Sequence, residues 1–135
     1  MAAPGLGAGV TVLIVDDYPD AVEVWDLFLT AAGYHVITAL DGREALHKAQ
    51  TLMPDVVVLD LQMPGLSGAQ VASALRADPR TAHLPLIAAS GHSRTPLHNA
   101  RAAGFDALIV KPCDPDDLVR EIRRLAPSRS DRADH

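Results

Sequence analysis

Five polar side chains end or directly follow short apolar runs of this 135-residue chain. Asp16 and Asp17 come directly after the run VTVLIV, and Asp60 ends the run DVVVLD. Ser90 ends LIAAS, and Lys111 follows ALIV. In open parallel sheets, ligands bind outside the carboxyl ends of the strands. If the runs are strands of one sheet, these five side chains converge at one edge of it.

The chemistry of such a cluster is restricted by its charge. Neighbouring carboxylates near a protein surface repel each other by about 1–4 kcal/mol per close pair, and a hard divalent cation removes that conflict. Mg²⁺ (or Mn²⁺) takes carboxylate and carbonyl oxygens and accepts phosphate oxygens as further ligands. The ammonium of Lys111 and the hydroxyl of Ser90 suit the spread negative charge of a transferring phosphoryl group. Asp60 stands alone at the end of its run, whereas Asp16 and Asp17 form the metal pair, so Asp60 is the predicted nucleophile that forms an aspartyl phosphate.

Two other interpretations of these acids stay open. An acid after a strand often serves as a turn residue or a helix cap, which accounts for Asp17 or Asp60 alone but not for all five positions. Metal-dependent phosphohydrolases of other α/β families often place a DxD pair after one strand. Here the acids are adjacent, and Tyr18 stands where the second acid of that pair would fall.

The elements that must hold these residues alternate along the chain. Short, β-branched apolar runs are typical of strands buried on both faces of a parallel sheet. Five such runs occupy 10–15, 34–39, 55–59, 84–89 and 107–110. Segments with helical spacing lie between and after them, at 19–32, 42–52, 67–77, 95–103 and 115–126, with Asp41 and Asp114 as predicted N-caps. The pattern predicts a doubly wound, five-stranded α/β sheet with helices on both faces.

Composition excludes several classes of protein. Hydrophobic residues make up 48% of the chain and charged residues 21%, enough to bury a core. A net charge of −5 argues against a direct nucleic-acid or anionic-membrane binder. One cysteine, Cys113, allows no internal disulfide and favours a reducing, cytoplasmic setting. We expect a flexible segment over residues 1–9, one domain over 10–126 and a polar tail over 127–135.

Five stretches of the sequence carry a family resemblance. They read VLIVDDYPD, DGREAL, PDVVVLDLQMPGLSG, HLPLIAASG and GFDALIVKPCDPDDL. In this order they resemble the receiver domain of bacterial two-component response regulators, over about residues 10–126. The resemblance implies a flavodoxin-like sheet with strand order 2-1-3-4-5.

The resemblance also implies roles for single residues. Asp60 corresponds to the phosphoacceptor, and Asp16 and Asp17 correspond to the acidic metal-binding pair, with Asp17 favoured as the direct ligand. The backbone carbonyl of Gln62 would be the third protein ligand of the metal.

Two further positions complete the implied machinery. Ser90 corresponds to the switch hydroxyl that turns toward the phosphoryl group. Lys111 would pair with a phosphoryl oxygen, and the Lys111–Pro112 peptide is expected to be cis. One position departs from the family pattern: Leu108 stands where members usually carry Tyr or Phe, which puts the aromatic half of the output switch in doubt.

Family members take phosphate from a phosphohistidine on a sensor histidine kinase or a His-phosphotransfer protein. They catalyse only their own phosphorylation and dephosphorylation, and they act through contacts with an effector protein, here unknown. Kinases dock beside the first helix, so Leu27, with Val22, is a predicted contact. In that helix the predicted inward-facing residues are Val24, Trp25, Phe28 and Ala32. The alternative function is a pseudo-receiver that binds partners without phosphorylation.

Overall fold

A computed structural model describes residues 9–91 and 97–126 of the chain. Five parallel strands form one sheet in the order β2-β1-β3-β4-β5, as the resemblance implied. The strands are β1 (Thr11–Val15), β2 (His35–Ala39), β3 (Val56–Asp60), β4 (Leu86–Ser90) and β5 (Ala107–Val110).

Five helices connect or follow the strands. They are α1 (Pro19–Ala31), α2 (Gly42–Leu52), α3 (Gly68–Ala77), α4 (Leu97–Ala102) and α5 (Pro115–Leu125). Side chains cap three of them, because the first backbone N–H groups of a helix lack partners within it. Asp41 accepts from Glu44 N at 2.8 Å, Asp114 accepts from Asp116 N at 2.9 Å, and Ser67 forms a capping box with Gln70 at the start of α3.

The apolar strands are buried because helices cover both faces of the sheet. On one face β1, β3 and β4 pack with buried residues of α2, α3 and α4, among them Ala49, Leu75 and Ala100. On the other face the strands pack with α1 and α5, through Leu29 and Ile122. Alternate residues of each strand feed the two clusters, which is the physical reason for the continuous apolar runs.

Where the structure describes both, the predicted ends of the elements lie within two residues of the observed ends, and the bounds of α2 and β5 match. The predicted inward face of α1 was wrong at Val24, which is 60% exposed, while Val22 and Leu29 are the residues that are buried. Leu27 is 66% exposed, as its predicted role as a surface contact requires. Trp25, Phe28 and Ala32 do pack against the sheet, as predicted.

Some predictions concern residues that the structure does not describe. The predicted tail, and the predicted N-terminal segment up to residue 8, lie outside the described residues. The start of the predicted fourth helix, at 95–96, also lies outside them. Within the described part of the chain, no helix combines the length and the apolar character needed to cross a membrane.

Candidate functional site

The register of the strands brings the five polar positions to one edge of the sheet. Val15 of β1 pairs with Leu59 of β3, so the next residues, Asp16 and Asp60, lie beside each other. Asp60 pairs in turn with Ala89 of β4, and Ser90 follows directly. Ser90 pairs with Val110 of β5, which immediately precedes Lys111. Parallel pairing without slippage therefore converts five distant sequence positions into one cluster.

Three carboxylates form the centre of this cluster. One oxygen from each of Asp16, Asp17 and Asp60 lies within 4.8 Å of the other two. Asp16 and Asp60 are buried and Asp17 is exposed, so the cluster opens to solvent on the Asp17 side. Hard oxygen donors of this kind are those that Mg²⁺ and Mn²⁺ prefer, so the residues present fit such an ion.

Lys111 supplies the positive charge. Its Nζ donates to Asp16 Oδ2 at 2.7 Å and lies 3.8 Å from Asp60 Oδ2. The backbone N–H of Lys111 donates to the carbonyl of Ser90 at 2.7 Å, which fixes the end of β5 against the end of β4. The Lys111–Pro112 peptide is cis, as expected. The ammonium is thus held between two acids and within reach of anything bound to Asp60.

Burial and charge oppose each other in the pKa values of the site. Burial raises the pKa of Asp60, while the hydrogen bond from Gln62 N and the charge of Lys111 lower it and the charges of Asp16 and Asp17 raise it. The net shift is upward. Burial alone would lower the pKa of Lys111, but the hydrogen bond and charge of Asp16, with the two other acids, raise it overall. The pKa of Asp60 stays raised although Lys111 is close, so the lysine does not fully offset burial and the repulsion from the other acids. A bound cation would offset them further.

Two of the acids also have a local structural role. Asp16 Oδ1 accepts from Tyr18 N at 3.0 Å, and Asp60 Oδ1 accepts from Gln62 N at 3.1 Å. These bonds span two residues, as in turns stabilised by aspartate. The turn interpretation, made for Asp17 or Asp60, is therefore confirmed for the local bonding of Asp60, and the same bond occurs at Asp16. It coexists with the cluster rather than replacing it.

Ser90 and Gln62 occupy different environments. Ser90 is completely buried at the end of β4. Gln62 is exposed, two residues beyond Asp60, in the loop between β3 and α3. Ser90 lies at the edge of the sheet that the apolar runs predicted, and Gln62 follows that edge in the chain, at the position that the resemblance implied. His92, which follows Ser90 by two residues in the sequence, lies outside the described residues.

An apolar groove beside the cluster was missed by the sequence analysis. It has a volume of about 560 Å³ and runs from Lys111 along α1 and the start of α5. Its lining includes Tyr18, Val24, Trp25, Pro112 and Pro115. The error in the face of α1 concealed it, because Val24 was assigned to the core. The sequence feature that could have indicated the groove is the number of apolar residues in α1. The helix has more of them than one buried face requires, so some must be exposed.

The sequence has clear relatives. Residues 12–123 match the family model described as the response regulator receiver domain. The response regulator PleD of Caulobacter vibrioides is 35% identical over 115 residues, which cover 84% of this chain and 25% of PleD. The chain spans about half the length of other curated relatives, among them RpaA of Synechocystis sp. (34% identical, 50% of its length) and MtrA of Mycolicibacterium smegmatis (33% identical, 48% of its length), both of which carry "DNA-binding" in their names.

Solved structures share the fold. The chemotaxis protein CheY4 of Vibrio cholerae superposes with a TM-score of 0.81 at 33% identity, covering 87% of this chain and 99% of CheY4. TrrA of Thermotoga maritima, solved in complex with Mg²⁺ and beryllofluoride, superposes with a TM-score of 0.78 at 32% identity. That match covers 86% of this chain and 98% of TrrA.

Proposed function

This chain belongs to the response regulator receiver domain family, and on that premise we propose that it is a phosphorylation-controlled signalling switch. Asp60 accepts the phosphoryl group, and Asp16, Asp17, Asp60 and the Gln62 carbonyl hold Mg²⁺ or Mn²⁺. The observation that carries the proposal is the meeting of three carboxylates within 4.8 Å around a lysine that contacts two of them.

The proposed reaction is a phosphoryl transfer from a phosphohistidine. The P–N bond of the donor breaks and a P–O bond forms to a carboxylate oxygen of Asp60. The imidazole leaves with the electron pair and takes up a proton. In the reverse direction of the switch, water attacks phosphorus, the P–O bond to Asp60 breaks, and inorganic phosphate leaves. The protein thus acts on its own aspartate and has no separate substrate to turn over.

The side chains divide the work. A bound divalent ion would offset the charge of the carboxylates and of the phosphoryl oxygens. Lys111 already lies 3.8 Å from Asp60 Oδ2, so its ammonium can bind a phosphoryl oxygen on that carboxylate with little movement. Ser90 offers a hydroxyl at the end of the neighbouring strand, and we assign it to the conformational response.

The phosphoryl donor is a sensor histidine kinase or a His-phosphotransfer protein in a phosphorelay, and the groove along α1 suits its docking. Tyr18, Val24 and Leu27 are each at least 60% exposed, and Tyr18 and Val24 line the groove beside Lys111. Val22, the second predicted contact, is buried and drops out of this surface. The output is a contact with an effector protein. A cytoplasmic location and the absence of direct contact with nucleic acid stay predictions.

The test is exposure to acetyl phosphate and Mg²⁺, followed by measurement of the intact mass. We expect the mass of one phosphoryl group to be added, to depend on Mg²⁺ and to be removed by hydroxylamine. Asp60→Asn should add none. Asp114→Asn is a matched control, because asparagine also caps the start of α5 and the site is unchanged. Phosphorylation of Asp60→Asn at the wild-type rate would show that another residue is the acceptor.

The second candidate function is a pseudo-receiver that binds partners without phosphorylation. Leu108 in place of the usual aromatic residue is the feature that favours it. A wild-type chain that gains no phosphoryl group under these conditions, but binds a partner with the same affinity when Asp60 is replaced by asparagine, would establish this alternative.

A further inference from the structure

The loop between β3 and α3, residues 61–67, carries the Gln62 carbonyl and is closely packed at both ends. At its start, Leu61 N donates to the carbonyl of Ala89 at 2.9 Å. At its end, Gly68 N donates to the carbonyl of Leu61 at 3.2 Å, which closes the loop. A Cβ on Gly68 would lie 2.4 Å from the carbonyl oxygen of Asp60 and 2.9 Å from Leu61 Cα. The first residue of α3 therefore touches the backbone of the phosphoacceptor itself.

A second glycine, Gly42, packs against the same loop from outside. It is the first residue of α2 and is buried. A Cβ there would lie 2.6 Å from Leu66 Cβ, 2.9 Å from the carbonyl oxygen of Leu66 and 2.9 Å from Val71 Cγ2. Two of these three contacts involve the backbone or the first side-chain atom of Leu66, which cannot rotate away.

The position of Gly42 is itself fixed. Asp41 caps α2 immediately before it. The carboxylate of Glu44 accepts a hydrogen bond from Leu40 N at 2.7 Å, and this bond joins the start of the helix to the end of β2. Lys48 donates to the carbonyl of Thr38 at 2.6 Å and so anchors the next turn to the same strand. A side chain added at position 42 therefore has to move the loop rather than the helix.

We propose that Gly42 is a positioning residue for the metal site: the bare backbone of α2 sets how closely loop 61–67 packs, and through it the place of the Gln62 carbonyl. This inference rests on the proposed function, which makes that carbonyl a metal ligand. It assigns to α2, which contributes no ligand, control over the geometry of the ligand loop.

The two alkaline-earth ions distinguish positioning from general weakening of the fold. Mg²⁺ requires near-ideal octahedral coordination with ligands about 2.0–2.1 Å away, whereas Ca²⁺ accepts varied geometry at about 2.3–2.6 Å. Moving Leu66 Cβ from 2.6 Å to the 3.4 Å at which ordinary contact begins requires a shift of about 0.8 Å, and a loop displaced that far should weaken Mg²⁺ binding more than Ca²⁺ binding. A variant that merely unfolds more easily would weaken both alike.

The experiment compares Gly42→Ala with wild type in titrations with Mg²⁺ alone and Ca²⁺ alone. Trp25, the single tryptophan, lines the groove beside Lys111 and provides the fluorescence signal; calorimetry provides a second one. We expect Mg²⁺ affinity to fall about 10-fold, the size of effect seen when the support of a metal ligand is removed. Ca²⁺ affinity should fall less, so the ratio of the two affinities changes.

Gly104→Ala is the matched control. Gly104 has a φ of +105°, and a Cβ there would lie 3.1 Å from Arg76 Cγ, so alanine strains the fold at the opposite edge of the sheet. It should lower thermal stability and leave both metal affinities at the wild-type values. If Gly42→Ala does not fold, Gly42→Ala/Leu66→Gly is compared with Leu66→Gly, since that removes the 2.6 Å contact and leaves the other two.

Equal loss of Mg²⁺ and Ca²⁺ affinity, or no loss of either, would overturn the positioning role of Gly42. Failure of the proposed function has a different result, because the wild-type chain would then gain no phosphoryl group from acetyl phosphate whatever stands at position 42.

Discussion

Asp16 and Asp60 each combine a local bond with a place in the cluster. Each accepts a backbone N–H two residues further along through Oδ1, and each presents Oδ2 to Lys111. Asparagine can keep the first interaction, because its amide oxygen also accepts a hydrogen bond, but it removes the negative charge. Asparagine variants therefore separate the chemistry of the site from its folding better than alanine variants do.

The convergence of these residues was predictable because it depends only on strands that end at one edge. Asp16, Asp17, Asp60, Ser90 and Lys111 all follow directly from where apolar runs stop. The sequence could not predict that Lys111 bonds Asp16 rather than Asp60. Both acids lie near the ammonium, and only the distances of 2.7 and 3.8 Å distinguish them.

The hydroxyl group of Tyr34 is buried without a hydrogen bond in the described part of the chain. Its ring is buried as well. An unpaired buried hydroxyl costs free energy. We expect Tyr34→Phe to leave the free energy of unfolding at pH 7 unchanged or to raise it by up to about 1 kcal/mol. Urea unfolding measures this, and Tyr18→Phe, at an exposed ring, is the control that should change nothing.

The same substitution predicts a pH dependence. Burial raises the pKa of Tyr34 above 10, against a smaller lowering by the charge of Arg123. The unfolded chain then loses the tyrosine proton first, so the contribution of neutral Tyr34 is complete below pH 10 and is lost as pH rises through the folded pKa. The stability of Tyr34→Phe relative to wild type should grow above pH 10. A difference that shrinks there would contradict the assigned burial.

At the scale of elements, all ten helices and strands of the described residues were predictable from the spacing of apolar residues and from the Gly, Pro and Asp residues at the ends of the elements. The rotation of α1 was not. Ala21, Val22, Val24, Trp25 and Leu27 are all apolar, so hydrophobic spacing does not select one inward face. The packed fold decides it: Leu29 packs with the strands, and Val22 is buried as well.

Arg76 links three elements at the amino edge of the sheet, away from the site. Its guanidinium donates to the carbonyl of Gly104 at 2.8 and 3.0 Å, to that of Ala82 at 2.7 Å and to that of Leu84 at 2.6 Å. It also pairs with Asp106 at 3.0 Å. The end of α3 is thereby joined to the segments that lead into β4 and β5. A cationic residue on a helix usually indicates a solvated face, so sequence alone gave no sign of this role.

Arg76→Lys should therefore cost about 2 kcal/mol of unfolding free energy, because an ammonium cannot reach several carbonyls at once. Arg80→Lys is the matched control: among the described residues Arg80 pairs with Asp78 at an exposed site, so this change should leave the free energy of unfolding close to the wild-type value. Urea unfolding of both variants provides the comparison. Equal losses would mean that the Arg76 contacts contribute no more than a surface ion pair.

At the scale of the whole molecule, a conformational response to phosphorylation of Asp60 would pass through β4 to β5. Ser90 is buried and pairs with Val110, and its carbonyl binds Lys111 N at 2.7 Å. Leu108, two residues earlier on β5, is half-buried and packs on the same core cluster as Phe105 and Ala103. It has no ring to swing and no hydroxyl to exchange between solvent and a buried partner. A phosphoryl group can shift the equilibrium only through contacts that differ between the two states, and Ser90 can form such a contact.

We therefore expect the response to phosphorylation to depend on Ser90 and not on Leu108. Amide exchange of α4 and β5 is measured with and without Mg²⁺ and beryllofluoride, at saturation verified by fluorine NMR. Leu108→Ala should keep most of the wild-type change in exchange, since leucine has neither a ring to move nor a hydroxyl to exchange between partners. Ser90→Ala should lose most of that change while still binding beryllofluoride, because Lys111 and the carboxylates remain. The reverse pattern, with a silent Ser90→Ala effect and a large Leu108→Ala effect, would mean that Leu108 replaces the aromatic residue as the moving part of the switch.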